Sequence, residues 1–284
     1  DEDRDKHYTR FREYGIIDVN GYVTRKGTAI VESYKDSIQK KMLKKRGVEQ
    51  RIEQKIRHIA KYNKKQLLES AGYTGYSDVG DIYSASRYVK NNIPHLSVDY
   101  SIFDVRVANS CNRALSELNT LMPQVVKRVG LLGHSHYVNK RLGVRTSSSA
   151  IARAFQPSTF STGAISWNSR ICNNLKRLQN TCQQCVNSGF HPNGTENIDS
   201  IMHHELGHHI DYALNLRSDA NIVAFYNTLQ KDELVFGVSG YAGKKFSEFI
   251  AECWAEYMTN PTPRVIAQKM GDMIVDRYRQ IYGP

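Results

Sequence analysis

Proline is scarce in this chain, with seven in 284 residues, and tryptophan and cysteine occur only twice and five times. Few prolines leave long stretches free to run as helix, because an interior proline removes a backbone donor and collides with the preceding turn. An odd cysteine count argues against a small secreted domain stapled by disulfides. No run approaches the roughly 18 consecutive apolar residues that a membrane-spanning helix needs. The opening residues, Asp1 to Lys6, are almost all charged and lack the apolar centre of a signal peptide. The chain also opens without Met, as a processed product or an excised piece does. Internal repeats and low-complexity runs are missing, and the length suits one large or two modest domains.

Charge is plentiful and uneven. Lys and Arg number 39 against 28 Asp and Glu, a formal net charge of +11. Residues 1–95 carry 20 basic and 13 acidic side chains, and residues 35–65 alone carry 12 and three. Ile52, Ile56 and Ile59 recur at helical spacing there, so the segment reads as a basic amphipathic helix, broken near Gly47. Such a helix either contacts nucleic acid or an anionic surface, or is the solvated face of a helix docked on its neighbours. No base-reading motif accompanies it.

Residues 1–70 read as helical, with Asn20-Gly21 marking a short hairpin across Asp18 to Val23. Residues 71–98 are rich in Gly, Ser, Tyr and Asp, and their Asn91-Asn92-Ile93-Pro94 stretch reads as a junction. The expected organisation is a basic helical region over 1–95 and a larger domain over 96–284. In the larger part, Ala108, Cys111, Leu115 and Leu118 mark a helix that stops before Pro123. Segments 125–132 and 161–171 read as strands, and Pro263 opens a last helix. The fold class is α+β, mostly helical with a small twisted sheet. Cys182-Gln183-Gln184-Cys185, with Cys172 before it and His191 after it, leaves a structural metal site, a local disulfide and free thiols open.

The chemistry is concentrated in His204-Glu205-Leu206-Gly207-His208. Two histidines four apart on a helix stand one turn apart on one face, roughly 6 Å between Cβ atoms, where both imidazoles reach one zinc ion. Glu205 flanks that line, where a general base for an activated water belongs. A helix is well signalled. Thr195, Glu196, Asn197 and Asp199 follow a Pro192-Asn193-Gly194 turn, and Ile198, Ile201, Met202, Leu206 and Ile210 supply an apolar face. Gly207 lowers helix propensity by about 1 kcal/mol relative to alanine, which makes sense if something approaches closely between the histidines. His203 and His209 point elsewhere.

A catalytic zinc takes three protein ligands and leaves a fourth position for water or substrate. The best third ligand lies in Phe246 to Tyr257, a helix that Ser247 can cap and whose Glu248, Glu252 and Glu256 share a face. Carboxylates one turn apart repel unless a cation sits on that face. Acidic residues in water explain Glu256 adequately and the Glu248/Glu252 pair less well.

The stretch His204-Glu205-Leu206-Gly207-His208-His209-Ile210-Asp211, with Tyr241 and Glu248-Phe249-Ile250-Ala251-Glu252, resembles the anthrax-lethal-factor family of gluzincin-type metallopeptidases over about sixty residues. The resemblance implies a zincin-like metallopeptidase domain over 96–284. It also implies one Zn2+ held by His204, His208 and Glu248, with Glu205 as general base and Tyr241 over the metal to hold the reacting carbonyl oxygen. Glu252 then orients a ligand histidine, and Asp211 stands with it behind the ligands. Gly163, Ala164, Ile165 and Ser166 are expected to form an edge strand against which a peptide or protein substrate is laid. A looser resemblance links Ala251-Glu252-Cys253-Trp254-Ala255-Glu256-Tyr257 and the following Asn260-Pro261 to phage head-morphogenesis proteins. It implies a virion-associated or host-cytoplasmic setting, with capsid or portal proteins as partners. The expected function is zinc endopeptidase. The rivals are a virion assembly protein that retains the fold, an injected toxin-like protease, and a nucleic-acid-binding module.

Overall fold

The computed structural model describes residues 9–14, 16–18, 22–56, 59–144, 150–158 and 162–283. Two compact units divide the chain, Asp1–Arg51 and Ile52–Pro284. In the first, a helical turn over residues 9–13 precedes an antiparallel bridge between Ile17 and Val23. The Asn20-Gly21 turn predicted there lies outside the described residues. Helix α1 (Arg25–Lys55) then begins and runs unbroken through Gly47. The predicted break is absent because one glycine costs only about 1 kcal/mol of propensity, which a 31-residue helix absorbs.

In the second unit, α2 (Lys64–Ser70), α3 (Ile82–Asn92), β1 (Ser97–Asp99), α4 (Val105–Leu121) and α5 (Pro123–Val126) lead to β2 (Val129–His134). There follow α6 (Ser135–Leu142), β3 (Ala152–Phe155), β4 (Gly163–Trp167) and α7 (Leu175–Asn187). The chain ends in α8 (Ile198–Leu214), α9 (Ala220–Thr228), α10 (Lys231–Gly237), α11 (Phe246–Thr259) and α12 (Val265–Tyr282). Among the described residues no helix is long and apolar enough to cross a membrane. The α+β, mostly helical class predicted from the sequence is the class observed.

No junction falls at residue 95. Ala85 and Val89 of α3 and the following Ile93 are buried, and the Tyr76 hydroxyl donates to Asn109 Oδ1 of α4 at 2.7 Å. Asn112 Nδ2 in turn donates to the Ala85 carbonyl at 2.9 Å. The polar, tyrosine-rich stretch that reads as a linker is therefore a hydrogen-bonded layer on α4. The predicted strand at 125–132 also starts later, because Pro123 opens the short α5.

The strand order is β1-β2-β4-β3, with β1, β2 and β4 parallel and β3 antiparallel. β4 is paired on both sides and buried along its whole length. Gly163, Ala164, Ile165 and Ser166 therefore present no edge, and the edge beside β4 is β3. A strand covered on both faces reads as a short apolar run whatever its place in the sheet, so the sequence marks the strand without its neighbours.

Helix α8 starts at Asn197, whose Oδ1 accepts from Ser200 N at 2.9 Å, and stops where Asn215 turns left-handed at φ 51°. It is buried on almost every side, His203, His204, Glu205, His208 and His209 included. Helix α11 crosses it at Gly207, where an added Cβ would stand 2.9 Å from Ala251 Cα. The expected caps and exposures of α11 differ from those found. Its N-cap position is Lys245, with no side-chain bond, rather than Ser247. Glu256 is fully buried rather than solvated, its two oxygens taken by Arg264 Nε at 2.8 Å and by the Arg264 terminal nitrogen at 2.7 Å.

Two consequences are measurable by denaturant unfolding. Gly207→Ala gains about 1 kcal/mol of helix propensity but overpacks the crossing by roughly 1–3 kcal/mol, so a net loss is expected. Equal or greater stability would show that the close approach constrains nothing. Arg264→Met strands a buried carboxylate and is expected to cost about 3–5 kcal/mol, and adding Glu256→Leu should recover most of it.

Candidate active site

His204 and His208 extend from α8 with ring centroids 4.9 Å apart. Glu248 comes from the first turn of α11, and its Oε2 lies 3.3 Å from Nε2 of each histidine. The three donor atoms all fall within 4.8 Å of one another, and they are the metal-capable group that the described residues assemble. Oε2 of Glu248 is buried with no hydrogen bond of its own. Burial opposes its ionisation, yet the two imidazoles hold the carboxyl far below the ordinary range. Two imidazole nitrogens and a carboxylate oxygen form the donor set of a catalytic zinc. An orphaned acceptor aimed between them fits such an ion.

Behind the histidines stands Glu252, one turn further along α11 and buried. Its Oε1 lies 2.7 Å from His204 Nδ1 and 2.9 Å from His191 Nδ1. Its Oε2 accepts from Ser239 Oγ at 2.7 Å. Against the cost of burial, His191 and His204 lower this carboxyl to about 2. The same pairing works on His191 in reverse. Burial disfavours its cation, but bonds to Cys185 and Glu252 raise it to about 9. Of the partners of Glu252, the sequence offers His191 only to a cysteine-based metal site and leaves Ser239 without a role. They meet Glu252 from loops 61 and 13 residues away, and no spacing rule signals either.

Glu205 has a different environment. It is buried beside the ligands, and burial pushes its carboxyl up, with the imidazoles of His204 and His208 opposing. It lines a cleft of about 450 Å³ together with His204, His191, Tyr241 and Ala152 of β3. Tyr241 stacks on His204 at 5.7 Å and 17° and on Phe190 at 5.0 Å. Burial first, then the nearby Glu248 and Glu205 charges, raise its hydroxyl pKa. The loop carrying it is tied down: Gly240 N donates to Gly189 O at 2.7 Å and Tyr241 N to Phe190 O at 3.0 Å.

The structure thus brings together His204, Glu205, His208, Tyr241, Glu248 and Glu252. Asp211 is buried on α8, one turn after His208. Its Oδ2 accepts from Arg217 Nε at 2.6 Å, and no hydrogen bond joins it to His208. His203 faces Glu117 at 3.1 Å and His209 faces the Ala164 carbonyl at 3.2 Å. Cys172, Cys182 and Cys185 are free thiols, and His191 serves Glu252 rather than a cysteine-based metal group. Compared with family models, curated proteins and solved structures, the chain matches none. The site therefore rests on its own residues.

Ser239→Ala removes one of the donors to a buried carboxylate and is expected to cost about 1–3 kcal/mol of stability. Urea unfolding that leaves the midpoint in place would exclude Ser239 from the network.

Proposed function

We propose that this protein is a zinc-dependent endopeptidase. The observation that carries the reading is the meeting of His204 Nε2, His208 Nε2 and Glu248 Oε2 at one point, beside a buried Glu205 and a cleft bounded by a sheet edge. The similarity to the lethal-factor family, carried by the residues around His204 and Glu248, supports it. Zinc held by these three side chains supplies Lewis-acid polarisation and an acidic water at neutral pH.

The rest is the work of the chain's own groups. Glu205 takes the proton of the attacking water and returns it to the leaving amine, a task suited to a carboxylate whose affinity for protons burial has raised. The Tyr241 hydroxyl, held over His204 by stacking, donates to the oxyanion of the scissile carbonyl. Glu252 fixes the ring orientation of His204 through Nδ1, as carboxylates behind ligand histidines do. β3 offers its free edge to an extended peptide, whose backbone pairs with the strand.

Metal analysis should find one zinc per chain, lost in His208→Ala. Glu205→Gln should keep the zinc and lose roughly 100-fold or more in peptide hydrolysis, since glutamine cannot take up the proton. A Glu205→Gln protein that cleaves at the parent rate would remove Glu205 as the base. Tyr241→Phe should lower kcat by an amount equivalent to about 3–4 kcal/mol with little change in KM. An unchanged kcat on a verified peptide would exclude the hydroxyl from the reaction.

A further inference from the structure

β3 has two faces, and they meet different surroundings. An added Cβ on Gly163 would meet the His209 ring of α8 at 2.6 Å, so Gly163, Ile165 and Trp167 face α8. Their cross-strand partners Ala154 and Ala152 face it too, because side chains alternate along a strand. Ser166 and its partner Arg153 face the other way. On that side a hollow of about 160 Å³ opens between β3, the start of α6 and the turn after β4. Arg153, Arg170, Ser135, Ser169 and Asn168 line it.

The hollow is held by hydrogen bonds. Asn168 N donates to Ile151 O at 2.8 Å, Asn168 Nδ2 to Ala150 O at 3.0 Å, and the hydroxyls of Ser135 and Ser169 meet at 2.9 Å. Among the described residues neither Arg153 nor Arg170 pairs with a carboxylate. Two unneutralised guanidinium groups and two hydroxyls in a space of this size match a carboxylate or a phosphate group. Ala150, Ala152 and Arg153 line both this hollow and the cleft that holds Glu205. The two open onto the same strand edge, and a peptide laid there sends alternate side chains to opposite faces.

We propose that this hollow is a substrate subsite that receives an acidic side chain, carboxylate or phosphate, of the peptide bound along β3. The assignment rests on the peptidase reading above and names the class of substrate. The test uses a peptide library carrying Asp, Glu, phosphoserine and neutral residues at every position, cut by the zinc-loaded protein and read by mass spectrometry. The parent should favour an acidic residue at one fixed distance from the cut, and the Asp/Glu to phosphoserine ratio identifies the preferred anion. In Arg153→Gln/Arg170→Gln, the ratio of kcat/KM on acidic peptides to that on neutral peptides should fall about tenfold. The same cleavage profile in both proteins overturns the subsite.

A second readout works without cleavage. Inorganic phosphate or acetate should raise the melting temperature of the parent and not that of the double variant. No difference between the two overturns the anion site itself. A difference with no library member cut by the parent would sink the peptidase reading, and the substrate role with it, while the anion site stands.

Discussion

At Gly207 the backbones of α8 and α11 come so close that a single methyl group would strike Ala251. Everything in the candidate site is measured from that crossing. His204 lies three residues before Gly207 and His208 one after, so both imidazoles project beside the contact. Glu248 lies three residues before Ala251 and Glu252 one after, which sets one carboxylate against the front of the histidines and the other behind His204. A wider helix separation would carry Glu248 away from both Nε2 atoms together. The glycine that weakens α8 as an isolated helix is thus what allows two helices distant in sequence to bring His204, His208 and Glu248 together.

The second constraint is charge held out of water. Glu205, Glu248 and Glu252 are largely buried within a few ångströms of His191, His204 and His208. Isolated buried charges cost several kcal/mol each unless matched by partners. The three carboxylates are matched to different degrees, and that separates their chemistry. Glu252 contacts His191, His204 and Ser239 and is driven down to about 2. Glu248 places one oxygen 3.3 Å from both imidazoles, and that oxygen makes no hydrogen bond. Glu205 lies under the least compensated burial, and its proton affinity is raised. Identical functional groups acquire distinct roles through their surroundings, as in other acid–base sites.

How much of this is legible in the sequence follows from the range over which each interaction acts. Ligand spacing on α8 and the Glu248/Glu252 pair on α11 are local patterns, and helical periodicity exposes them directly. Even the purpose of Gly207 can be read as a place of close approach. Strand order is not local: β4 is the more apolar strand and reads as the better candidate for the site, whereas the edge belongs to the short β3. The division of the chain is misplaced for a related reason. Tyr76, Asn109 and Asn112 are polar residues whose partners are each other, and composition cannot distinguish a satisfied internal network from a solvated linker. Likewise His191 and Ser239 carry no motif, since their role is set by Glu252, which they meet only after folding.

The sheet edge then ties these elements to binding. Antiparallel pairing of β3 on an otherwise parallel sheet places a short strand at the rim, with α8 on one face and α6 near the other. Glu205 and Glu252 line the cleft on the α8 side, Arg170 lines the hollow on the α6 side, and Arg153 lines both. Backbone hydrogen bonding along an edge is blind to side-chain identity, so selectivity has to come from what alternate side chains meet. A strand with like surroundings on both faces would select on neither. On the proposed reading, a peptide shifted by one residue along β3 would exchange its side chains between the face toward Glu205 and the face toward Arg170. If the protein is the peptidase proposed above, register along the edge is coupled to sequence, and the position of the scissile bond opposite Glu205 is coupled to register.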